Sequence, residues 1–158
     1  MIEAIAGPPL SQARVRAALG EVPDPELPVV SIVDLGMVDR LEVDEDGINV
    51  QLLPTFVGCP ALEPIRAAVI ERLVEFGRPV TVEFGFRIPW TSDRISAHGR
   101  ERLRAAGIAP PVDDPSETRC PHCGSAEVAL DNLFGPTQCR SLLYCRGCRQ
   151  PFEALKRI

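Results

Sequence analysis

Long apolar runs are missing from this chain of 158 residues, and no stretch approaches the roughly 20 residues that a membrane-crossing helix needs. Met1 to Leu10 lack a basic start and an extended apolar centre, so no secretory leader is expected and the reading is a reducing, cytoplasmic setting without membrane contact. Catalytic signatures are also scarce. There is no glycine-rich phosphate cradle, no HExxH and no GxSxG. Histidine occurs only twice, and neither His98 nor His122 stands in an order with a carboxylate and a nucleophile that suggests a triad. Both are expected to be surface residues.

A basic stripe is lacking over most of the length. Residues 1–115 hold 11 basic and 18 acidic side chains, a net charge of −7, whereas residues 116–158 carry +2 from 6 basic and 4 acidic ones. Phosphate neutralisation needs clustered positive charge, so the larger part is not expected to bind nucleic acid. The carboxy-terminal part offers Arg140, Arg146, Arg149, Lys156 and Arg157. Its aromatic residues Phe134, Tyr144 and Phe152 are more readily read as its own small core than as a stacking surface. With 45% hydrophobic and 25% charged residues and a mean hydropathy of +0.04, the composition is that of a globular protein.

Against these absences stand six cysteines. Four of them form Cys120-x-x-Cys123 and Cys145-x-x-Cys148, with 21 residues between the pairs. Each pair can wrap one side of an ion, and a hairpin that brings the pairs together completes a four-sulfur shell. Gly124 and Gly147 sit beside ligands, where a knuckle backbone turns sharply. A structural zinc is the favoured occupant, because zinc suits closed thiolate shells and a ribbon this small needs a staple. Iron in a rubredoxin-like site has the same ligands, and a pair of disulfides is the remaining reading. Cys139 lies outside both pairs. Burial, an alternative ligand role and a transfer role with Cys59 all stay open for it, with burial ahead.

The periodicities predict an α+β fold: a small mixed β-sheet packed with helices, followed by a four-cysteine ribbon. Ser11 caps a first helix that ends at Gly20. Leu41 and Val43, then Ile48, Val50 and Leu52, alternate with polar residues around an acidic turn and predict a hairpin. Leu62, Ile65, Val69, Leu73 and Phe76 give a second helix, roughly Pro60 to Phe76. Val80, Val82, Phe84 and Phe86 predict a returning strand, as in split β-α-β units. A third helix begins near Ser96 with a basic face, Arg100, Arg102 and Arg104, expected to be solvated. The expected division is 1–106 for the first unit, 107–116 for a semi-rigid proline-rich linker and 117–158 for the ribbon.

Two loops hold residues that propensity does not require. Asp24-Pro25-Glu26-Leu27-Pro28 leads into Val29–Val38, and Thr55-Phe56-Val57-Gly58-Cys59-Pro60 precedes the second helix. Pro60 suits a first helical turn, which would put Cys59 at a helix amino terminus, where the dipole lowers a thiol pKa. A small buried cysteine at a tight turn is an equal reading. Asp24, Glu26 and Asp34 could support that thiol, although turn formation explains them as well. Trp90 is expected to pack over a strand end, with a partner contact as the alternative.

The run from Asp24 to Val38, together with Thr55-x-x-x-Cys59-Pro60, resembles the small domain shared by SufT-type and eukaryotic cytosolic iron–sulfur assembly proteins. Trp90-Thr-Ser-Asp-Arg-Ile-Ser, the Gly107–Pro111 segment and a ribbon with Phe134-Gly135-x-Thr137-x-Cys139-Arg140 narrow the resemblance to the PaaD (PaaJ) family of phenylacetate degradation. This resemblance covers almost the whole chain. It implies an accessory, non-enzymatic protein of the monooxygenase that epoxidises the ring of phenylacetyl-CoA. The implied task is to mature or deliver an iron–sulfur or iron centre. The implied partners are the monooxygenase components, above all the iron–sulfur reductase, and other iron–sulfur assembly proteins. It makes Cys59 the leading candidate for transient iron or cluster contact, with Asp34 as support and Cys120, Cys123, Cys145 and Cys148 as metal ligands. The carboxylate-and-histidine helix pairs of a di-iron oxygenase and any flavin or nicotinamide fingerprint are absent, so the chain is not itself expected to epoxidise or reduce. A scaffolding role within the oxygenase complex and an iron-bearing redox protein are the alternatives.

Overall fold

The computed structural model describes residues 9–158; most of the amino-terminal stretch read above for a leader lies outside them. Among the described residues no helix is long and apolar enough to cross a membrane.

The first layer follows the periodicities closely. Ser11 caps α1, Gln12–Leu19, by accepting from the Arg14 amide, and Val15, Ala18 and Leu19 turn inward. Strands β1, Val38–Val43, and β2, Ile48–Leu52, form an antiparallel hairpin. Asp44 Oδ1 accepts the Asp46 and Gly47 amides at its turn, at 2.9 and 3.0 Å. Helix α2, Leu62–Leu73, continues as a 3₁₀ turn over Val74–Phe76. Gly77, at φ 72°, takes the left-handed conformation that closes it. The chain returns as β3, Val80–Phe84, parallel to β2, giving the order β1-β2-β3. This strand stops before Phe86, which is exposed. Ile65, Val69 and Leu73 of α2 pack with Ile48, Val50, Leu52 and Val82 of the sheet in one core.

Helix α3, Ala97–Ala105, is capped by Ser96, whose Oγ accepts the Gly99 amide. Its basic face is not simply solvated. Arg100 donates to the carbonyls of Pro111 and Ser92 at 2.7 and 3.0 Å, and Arg102 to that of Val29 at 3.0 Å. These guanidinium donors satisfy carbonyls outside regular strands, which is why the face is drawn onto the protein. Trp90 is buried, and its indole N–H donates to Leu35 O at 2.7 Å. The packing reading of this residue therefore holds.

Within the expected linker, Ile108–Ala109 form β4, a short strand that pairs in parallel with residues Glu153 and Ala154. The second sheet has the order β4-β7-β6-β5, where β5 is Val128–Asn132, β6 is Arg140–Cys145 and β7 is Pro151–Leu155. It has its own small core of Ala109, Cys120, Leu143, Cys145, Phe152 and Ala154. Of the three aromatic residues expected there only Phe152 is buried, whereas Phe134 and Tyr144 are exposed. A ribbon this thin fills its interior with small residues and sulfur, leaving no room for two more rings.

The two sheets are tied together at several points. Leu155 belongs to the larger core, against which Ile108 and Cys139 also pack. Arg157 pairs with Asp93 and Asp113, both at 2.9 Å, and the Ile158 amide donates to Ser92 Oγ at 2.8 Å. Gly107, at φ 80°, lets the chain leave α3 beneath His122, whose ring would lie 3.1 Å from any Cβ there.

Candidate functional site

Two sites emerge, one in the ribbon and one where the ribbon meets the first layer. In the ribbon, the turn after Thr118 and the β6–β7 turn present Cys120, Cys123, Cys145 and Cys148 to one another, all four sulfurs lying within 4.8 Å. Cys120 and Cys148 are 3.7 Å apart, and Cys123 and Cys145 3.6 Å. A tetrahedron with metal–sulfur bonds of about 2.3 Å has edges of about 3.8 Å, so the shell already has the size of a closed four-thiolate centre. The knuckle amides support it, the His122 N–H donating to Cys120 Sγ at 3.4 Å. Gly124 adopts the left-handed conformation that one knuckle requires, at φ 75°. In the other, Arg149 takes positive φ, at 61°. All six cysteines are free thiols, so the disulfide reading does not hold. The Cys148 amide pulls the Cys145 thiol down to about 7. Burial, followed by the neighbouring sulfurs, pushes the Cys148 thiol up to about 12. Crowded sulfur that resists carrying several negative charges is the condition a divalent metal relieves. These four cysteines are a metal-binding cluster.

The second site is a cavity of about 310 Å³. Residues of 55–60 form one wall and residues of 134–139 the other, with Glu26 at the edge. Cys59 and Cys139 both line it, and both are half-buried. The 134–139 wall is pinned. Arg140 pairs with Glu153 at 2.5 Å and donates to the Glu26 carbonyl at 2.6 Å, and the Gly135 amide donates to Arg140 O at 2.8 Å. The Thr137 hydroxyl lies 3.0 Å from Cys139 Sγ. Next to Glu26 in the chain, Asp24 is buried and accepts the amides of Glu26 and Leu27 at 2.7 and 3.0 Å. Its carboxyl is nonetheless raised, because burial outweighs those bonds and the Arg140 charge.

Cys59 differs from the expected activated thiol. α2 starts at Leu62 with Ala61 as its cap residue, so Cys59 sits before the helix rather than on its first turn. Burial pushes its pKa up, and the charges of Glu26, Asp24 and Cys139 add to this against one opposing backbone bond at Ala61. The thiol is held protonated rather than as a standing nucleophile.

Asp34 lies elsewhere. Its carboxylate accepts from Ser96 Oγ at 2.6 Å, contacts His98 Nδ1 at 2.9 Å and takes a longer bond from Ser31 Oγ at 3.3 Å. Burial would raise it, but these partners outweigh burial and lower its pKa. It fastens the start of α3 to the 31–37 loop and is not among the cavity residues. The cavity thus groups Cys59 with Glu26 and Cys139, Asp24 reaches the thiol only through its charge, and Asp34 is left out. The signal for Cys139 in the sequence was the Phe-Gly-x-Thr-x-Cys-Arg run, which is the pinned wall. Two of the five ribbon cations considered for nucleic acid, Arg140 and Arg157, are engaged in internal ion pairs.

Comparison with known proteins finds two separate matches along the chain. A family model described as an iron-sulfur cluster assembly protein matches residues 12–84, and one described as the PaaD zinc beta ribbon domain matches residues 109–156. An Escherichia coli K12 protein whose name assigns it as the D component of a 1,2-phenylacetyl-CoA epoxidase is 40% identical over 90% of both chains. The Bacillus subtilis Fe-S protein maturation auxiliary factor YitW is 34% identical over 56% of this chain and 89% of its own length. Among solved structures, a domain of unknown function (DUF59) from Bacillus anthracis superposes with a TM-score of 0.54 at 29% identity, over 58% of this chain and 89% of that one.

Proposed function

The chain belongs to the PaaD family of phenylacetyl-CoA epoxidase components, and on that premise we propose that it is a non-enzymatic accessory protein of a ring-epoxidising phenylacetyl-CoA monooxygenase. It matures or delivers an iron–sulfur or iron centre, with the iron–sulfur reductase component as client. The observation that carries this reading is the fusion of an iron–sulfur assembly domain with a metal ribbon across a shared cavity. An assembly domain supplies a thiol for transient contact, and a pinned ribbon supplies a surface that positions the client.

Cys59 is the transfer thiol in this scheme. The ribbon holds zinc through Cys120, Cys123, Cys145 and Cys148, which fit the ion in number, donor type and spacing. When bound, zinc supplies folding free energy and no redox chemistry. The four cysteines tie the two knuckles together, while Arg140 holds the 134–139 wall against the first layer through the Glu26 carbonyl. Asp34 acts at a distance, by setting the position of α3.

The test is Cys59→Ser in cells that also make the client reductase. The variant is expected to fold and keep its ribbon metal while the client is isolated without its cluster. A fully loaded client beside this variant would refute the transfer role. Metal analysis and an absorption spectrum of anaerobically purified protein test the ribbon assignment: one zinc per ribbon and no thiolate-to-iron band are expected, and a red, reducible protein would replace zinc by iron.

A further inference from the structure

Two pairs of apolar side chains stand in water on either side of the cavity that holds Cys59. Phe56 and Val57 are exposed at one wall and Leu133 and Phe134 at the other, Val57 to 76% and Phe134 to 64%. Phe56 and Phe134 line the cavity themselves. The 134–139 wall holds its ring in place. Lys156 Nζ lies 4.6 Å from the centroid of the Phe134 ring and donates to the Gln138 carbonyl at 2.8 Å, while Arg140 and Gly135 fasten the rest. An anchor fixed before binding loses little freedom when it is covered. The Glu26 carboxylate at the edge has no ion pair among the described residues, because Arg140 reaches only the Glu26 backbone carbonyl and directs its charge to Glu153. After burial, the charges of Glu26 and Asp24 are what raise the Cys59 thiol, so the potential at the cavity is negative.

We propose that this cavity is the docking site for the client, and that it takes an apolar side chain flanked by a lysine or arginine. A volume of about 310 Å³ is at the small end for pockets that take a whole small molecule. An enclosed small molecule would leave Val57 and Leu133 in water, whereas a protein surface covers the rings and their neighbours together. The apolar side chain seats between Phe56 and Phe134, and its basic neighbour reaches the Glu26 carboxylate. Opposite charge at the rim speeds encounter and fixes register, while the rings supply the affinity. Cys59 lines the same cavity, so a segment seated there brings the client up against the transfer thiol. The iron–sulfur reductase as client rests on the maturation role proposed above, whereas the surface itself rests on the exposed rings and the unpaired carboxylate.

The experiment measures binding of the zinc-replete full-length protein to the immobilised reductase component by biolayer interferometry at low and high salt. Wild type is expected to bind, and more weakly as salt rises. Phe134→Ala and Phe56→Ala should each weaken binding by about tenfold or more. Glu26→Gln should slow association and flatten the salt dependence, and Glu26→Lys should weaken binding further. Phe86→Ala removes an equally exposed ring that is not among the cavity residues, and it should bind as wild type does. All these positions are exposed or half-buried, so ribbon metal content and circular dichroism are expected to match wild type. Absence of wild-type binding, full-strength binding by either Phe134→Ala or Glu26→Lys, or an equal loss in Phe86→Ala overturns the docking site. So does a wild-type dimer in light scattering that Phe134→Ala splits, which assigns the surface to a second copy of the chain. None of these readouts involves a cluster, so a failed docking site leaves the maturation role to the Cys59→Ser test. A client fully loaded beside Cys59→Ser removes the maturation role and leaves the measured binding as it stands.

Discussion

The chemistry of Cys59 is decided by what surrounds its sulfur. Desolvation, then the carboxylates of Glu26 and Asp24, keep its pKa above the ordinary value of 9.0. In the pH window from 9.0 upward the unfolded chain loses this proton before the folded one does. The folded state then binds more protons, so this group makes stability fall as pH rises through that window and contributes nothing at neutral pH. Alkylation of Cys59 by iodoacetamide, followed by peptide mass analysis on the zinc-replete protein, should accordingly show a pH midpoint above that of a free cysteine. A midpoint below it would restore the helix-dipole reading. The site could be anticipated from Thr55-x-x-x-Cys59-Pro60, but the sign of the shift could not. A proline after cysteine suggests a first helical turn, whereas here the helix is delayed to Leu62, and burial of the thiol, with the charges of Glu26 and Asp24 behind it, sets the direction.

Between elements, the start of α3 and the 31–37 loop are locked by close approach. Trp90 and Arg94 donate to the carbonyls of Leu35 and Gly36, each at 2.7 Å, and Asp34 accepts from Ser96. Gly36 has φ 70°, and a Cβ there would lie 2.3 Å from Arg94 O. Gly36→Ala combines left-handed strain with a backbone collision and should cost about 2–4 kcal/mol in denaturant unfolding. A change below about 0.5 kcal/mol would show that the two segments part readily. The helices and strands of the first layer were legible because each follows its period, with Ile65, Val69 and Leu73 inward on α2 and Ile48, Val50 and Leu52 inward on β2. Strand β4 was not, since two residues between prolines and glycine carry no period of their own. Pairing with β7 makes them a strand.

Across the whole molecule, stability of the ribbon hangs on its metal. A sheet with so small a core gains little from burial, whereas binding to four thiolates contributes on the order of 10 kcal/mol. Chelation should therefore abolish amide protection in β5, β6 and β7 by hydrogen exchange while β1, β2 and β3 stay protected. Loss of protection in all of them would mean that the docked ribbon is needed to hold the first layer together. The sequence alone determined the metal cluster and the first sheet layer, because ligand spacing and hydrophobic period are local and survive translation into any orientation of the parts. Only the tertiary structure decided that Cys139 lines the same cavity as Cys59, that Asp34 belongs to α3 rather than to the thiol, and that the proline-rich segment joins the ribbon sheet. Those facts depend on how two surfaces meet, through Arg140 on the Glu26 carbonyl and Arg157 on Asp93. Contacts between residues so distant along the chain leave no periodic trace in it.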